Sequence, residues 1–110
     1  MNHIEEKFKG RGHQSKGGEL YLTLADAREF VAALREAGYA ILGLEAVHRE
    51  AGKIFPLLDQ IADFSAPRTE DWHSRVEASS RAAAGFLDQL PNDPRLMVTV
   101  VAIPRPEDRA

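Results

Sequence analysis

Ala37-Gly38-Tyr39-Ala40-Ile41-Leu42-Gly43-Leu44-Glu45-Ala46-Val47 is where the chain changes its period. Upstream, Leu24, Ala27, Phe30, Val31 and Leu34 recur at helical spacing, while Arg28, Glu29, Arg35 and Glu36 take the other face. Thr23-Leu24-Ala25-Asp26 resembles a capping box with Asp in place of Glu or Gln, so the spacing predicts a helix over 24–37. Gly38 follows as the glycine that ends it, which lets Tyr39 fold back on Leu34. Residues 39–47 are then too short and too β-branched for another helix after a glycine stop, and read as a first strand.

Working downstream, His48-Arg49-Glu50-Ala51-Gly52 reads as a hairpin loop and 53–58 as the return strand. Pro56 lacks an amide proton and makes that strand an edge or an irregular one; residues 61–64 continue it past a bulge. Ser65-Ala66-Pro67 is a break. Thr69 is placed to cap a second helix, with Glu70 and Asp71 near its positive end. Its apolar stripe is Val76, Ala83, Phe86, Leu87 and Leu90, and Pro91-Asn92-Asp93-Pro94 stops it. Leu96–Ile103 is apolar on both sides and belongs at the centre of the sheet.

Upstream, residues 1–19 hold four glycines and scattered basic residues, with Ile4 and Phe8 as their only large apolar side chains. They read as a flexible leader. The expected organisation is a leader over 1–19, one domain over 20–104 and a tail over 105–110. The class is α+β, two helices on one face of a small, mainly antiparallel sheet. A ferredoxin-like order, with an extra strand at 19–22 running straight into the cap at Thr23, ranks second.

The 110 residues suit one domain and one core, with 44% hydrophobic and 28% charged residues. There is no cysteine, which removes disulfides, thiolate metal sites and cysteine nucleophiles and favours a reducing compartment. The N-terminal stretch is polar, so no secretory signal is expected, and the apolar runs are too short to cross a bilayer. A cytoplasmic location follows as the expectation. A net charge of −3 and a pI near 5.8 disfavour nucleic acid as a direct partner, which needs a basic face.

Catalytic patterns are missing. His3, His13, His48 and His73 never pair at helical spacing, so no metal site is expected. No G-x-S-x-G elbow surrounds a serine and no phosphate loop follows Gly17-Gly18. No cofactor is expected. What remains is an acidic excess between Ala40 and His73, where Glu45, Glu50, Asp59, Asp63, Glu70 and Asp71 face only Arg49, Lys53 and Arg68. Trp72, the sole tryptophan, adjoins Glu70-Asp71. Acids around one aromatic anchor suit docking into a basic cleft.

Ile41-Leu42-Gly43-Leu44-Glu45, after Gly38-Tyr39-Ala40 and before His48, resembles the first-strand signature of immunity proteins against tRNA-cleaving colicins, the immunity protein 40 grouping. Asp63-Phe64-Ser65, Ser80-Arg81-Ala82-Ala83 and Met97-Val98-Thr99-Val100-Val101 are similar to later elements of that family, over roughly residues 24–103. Ala46-Val47 departs from it, where glycine is the expectation. The resemblance implies a non-enzymatic, monomeric inhibitor that plugs the basic cleft of a cognate toxin, an RNA-cleaving nuclease. Partner-binding residues are then Glu45, Asp59, Asp63, Glu70 and Asp71 in place of phosphates and Trp72 in place of a base. The alternative is a small dimeric α+β enzyme or ligand-binding domain.

Overall fold

The computed structural model describes residues 3–64 and 71–106. Its elements are α1 (His3–Phe8), a 3-10 turn (Lys9–Arg11), β1 (His13–Gln14), β2 (Leu20–Leu22), α2 (Leu24–Glu36), β3 (Ala40–Glu50), β4 (Lys53–Asp63), α3 (Trp72–Asp88) and β5 (Leu96–Ile103). Among the described residues the strands form one antiparallel sheet of five, in the order β1-β2-β5-β3-β4. The fold is α+β. β5 lies at the centre of this order and β4, which carries Pro56, at an edge.

Thr23 caps α2, its hydroxyl accepting from the amide of Asp26 at 3.3 Å. The far end closes with Gly38 at φ +80, where the amide of Tyr39 donates to the Leu34 carbonyl at 2.9 Å. That paired closure satisfies carbonyls the last turn would otherwise leave bare. Asp71, one residue before α3, accepts from the Ser74 amide at 2.8 Å and is the cap of that helix. Thr69, the expected cap, lies outside the described residues.

α2 and α3 pack on each other, α3 lies against β3, and α2 lies against β5. Ala27, Phe30, Val31 and Leu34 of α2 join Ala83 and Leu87 of α3 over Leu22, Ile41, Leu44, Leu96 and Val98 of the sheet. The forked pair of Arg35 with Glu77, at 2.7 and 2.8 Å, and an Arg28–Asp88 pair cross between the two helices. Burial is the larger effect, since exposed ion pairs contribute at most about 1 kcal/mol each.

Two expectations change. Residues 3–19 are built into the fold where a flexible leader was expected, and α1 is a third helix. Ile4 and Phe8 are each 5% exposed within the core. The Phe8 ring meets Phe30 edge-on at 5.1 Å, and Arg11 sits 4.7 Å above Phe8 while pairing with Asp26 and Glu29. Two well-placed apolar side chains suffice because α2 offers them a ready-made face. The second change is the strand at Leu20–Leu22, which does run straight into Thr23. An N-cap residue is itself extended, here at φ −61 and ψ 163, so strand and helix join without a turn. From Leu20 onward the order is strand, helix, strand, strand, helix, strand.

The hairpin is tighter and longer than its sequence suggests. Glu50 pairs with Lys53 across a two-residue turn of Ala51 at φ 51 and Gly52 at φ 78. Glu45 pairs with Ile61 and Val47 with Pro56, so residues 57–60 of β4 bulge from the ladder.

Candidate functional site

Directly paired residues of an antiparallel sheet project to the same face. His13 pairs with Tyr21, Tyr21 with Thr99, Thr99 with Glu45, and Glu45 with Ile61. These five side chains form one row across the sheet. Leu22, Ala46 and Val98 pair in the next row and turn the other way, toward the helices. The Tyr21 face has its own apolar cluster of Tyr21, Val47 and Met97 with Ile54, which includes no helix residue among those described.

Beside that row runs a second one, Val101, Gly43 and Asp63. Gly43 has no side chain, so the row has a gap in its middle. The gap is a depression of about 360 Å³ walled by Leu42, Glu45, Ile61, Asp63, Thr99 and Val101. Gly43 is fixed there by space, because a Cβ would stand 2.7 Å from the carbonyl oxygen of Ala62. Val101 is 55% exposed and Ile61 50%, the two largest exposures among the big apolar side chains of the described residues. Glu45 is half-buried beside them. Burial, together with Glu19 and Glu45, raises the Tyr21 phenol above its ordinary value.

The structure divides the six residues expected to bind a partner. Glu45 and Asp63 meet at the depression. Asp59 is exposed on the bulged part of β4, whose backbone leaves the ladder. Asp71 and Trp72 stand at the start of α3, in the helical layer. There Asp71 caps the helix, and the Ser74 amide and hydroxyl hold its carboxyl below the usual range. The Trp72 indole donates to the Gly38 carbonyl at 2.8 Å, and Arg75 lies 5.6 Å from the ring. Trp72 also lines a groove of about 410 Å³ with Arg35, Gly38, His73, Glu77 and Arg105. Glu70 lies outside the described residues.

Tyr21, Leu42, Ile61, Thr99 and Val101 are sheet-face residues that sequence reasoning missed. Two signals pointed at them: a glycine inside a strand, which marks a bulge or close approach, and a lone threonine inside the apolar run of β5. Among the described residues no group of three or more His, Asp or Glu is gathered as a metal ion requires. No helix among them is long and apolar enough to cross a membrane. No family model, curated protein or solved structure matches the chain.

Proposed function

We propose that this protein is a non-enzymatic inhibitor of the immunity type, which binds a cognate bacterial toxin and plugs the basic cleft of its RNA-cleaving nuclease domain. In this reading α2 and α3 back the sheet from one side, and the other side meets the toxin. The carrying observation is the pairing of two exposed apolar side chains, Ile61 and Val101, with Glu45 and Asp63 around one depression. Apolar surface removed from water gives about 25 cal/mol per Å² toward association. Carboxylates beside it select a positively charged partner and speed the encounter. The resemblance of residues 38–45 to colicin immunity proteins supports the same class of partner. The inhibitor acts as a cytoplasmic monomer, without cofactor, and touches neither nucleic acid nor membrane directly.

Co-expression with the product of the neighbouring gene tests this reading. The two proteins should co-purify one to one and cells should be protected. Val101→Arg, at an exposed position, should abolish both without changing the melting temperature. Full protection by that variant would remove the sheet face from the interface. A chain that instead elutes as a dimer, with Val101→Arg converting it to monomer, would favour the alternative of a dimeric enzyme or ligand-binding domain.

A further inference from the structure

We infer that the depression over Gly43 seats one arginine or lysine side chain of the partner, with Glu45 as the group that recognises its charge. This rests on the docking-face reading above and names the chemistry it selects. The walls offer hydrocarbon from Leu42, Ile61 and Val101, and among the described residues no Lys, Arg or His lines the hollow. Glu45 forms no hydrogen bond or ion pair among the described residues, although it is half-buried. A carboxylate partly withdrawn from water without a cation is electrostatically incomplete. Asp63, paired with Gly43, also lines the hollow.

The occupant follows from these walls. An apolar anchor would cover Glu45 and leave its charge unpaired. An anion would meet the Glu45 carboxylate. A bare metal ion would find too few ligands. A long cationic side chain matches both parts, its methylene stem along Ile61 and Val101 and its head on Glu45. Gly43 keeps the hollow open, since no larger residue fits under Ala62.

The test is a titration of the ¹⁵N-labelled full chain with an acetylated, amidated hexa-arginine peptide, followed by amide shifts. Shifts should centre on Leu42, Glu45, Ile61 and Val101. Glu45→Gln should weaken binding at least about tenfold, as loss of one charge-assisted contact does. Glu36→Gln, on the exposed side of α2, should leave it unchanged. Shifts centred on the helices, or equal binding by Glu45→Gln, would overturn the seat. Val101→Trp fills the hollow at an exposed position and separates the two claims. Loss with Val101→Trp but not with Glu45→Gln keeps the sheet face as a docking surface and rejects charge recognition. Binding untouched by either substitution rejects both.

Discussion

At Gly43 the backbone of β4 leaves room for hydrogen alone. Gly43→Ala pushes a methyl against the Ala62 carbonyl, and overpacking of this kind costs ~1–3 kcal/mol, read as a lower urea midpoint at unchanged slope. A change under ~0.5 kcal/mol would mean that β4 gives way freely. Asp93 makes a different prediction. The Arg95 side chain and amide donate to its carboxyl and hold it down to about 2, and His48 lies 3.6 Å away. The folded value lies below the ordinary ~3.9. Its contribution is therefore complete above about pH 4 and disappears as the pH falls toward 2. Melting temperatures of Asp93→Asn should fall less steeply than those of the wild type across that window. The candidate site was half legible at this scale. Glu45 and Asp63 stand out as charges in apolar strands. Ile61 and Val101 do not, because alternation shows that a strand has two faces without showing which one is covered. Trp72 and Asp71 also stand out in the sequence, and the structure gives their polar atoms local partners at a helix end and a helix start.

Among the elements, the N-terminal segment is the clearest departure from expectation. Phe8→Ala should destabilise by about 3 kcal/mol, as an emptied core site does; a flexible arm would register almost no change in the urea midpoint. The β3–β4 turn predicts the opposite sign. Ala51 holds a left-handed φ of 51 before Gly52, a conformation that costs an ordinary residue ~1–2 kcal/mol and asparagine less. Ala51→Asn should raise the melting temperature by the equivalent of ~0.5–1 kcal/mol. Of the fold, α2, its glycine stop and β5 could be read directly, since capping chemistry and period agree there. β2 could not: three residues are too few for a period, and its Tyr21 and Leu22 pair with sequence-distant β5. The extent of β4 could be read as well, as a return strand that carries Pro56 and continues past a bulge, both of which an edge strand tolerates.

For the molecule as a whole, the net charge of −3 is modest, so its distribution matters more than its sum. Under the proposed function, association with the toxin should slow as salt rises, because exposed charges are screened beyond roughly 8–10 Å at physiological strength. Glu45→Lys should flatten that salt dependence in stopped-flow measurements, whereas Asp71→Asn, on the helical layer, should leave it unchanged. Equal effects from both would mean that the whole surface, and not one face, steers the encounter. The strand order sets a further condition. Among the described residues β2 and β3 are joined only through β5, the last of the five strands in chain order. Until β5 emerges, a growing chain carries a hairpin and a separate strand with nothing between them. Without β5, Leu22 and Ala46 would both lose Val98, the side chain that fills the row between them, and the two halves of the sheet would share no hydrogen-bonded edge.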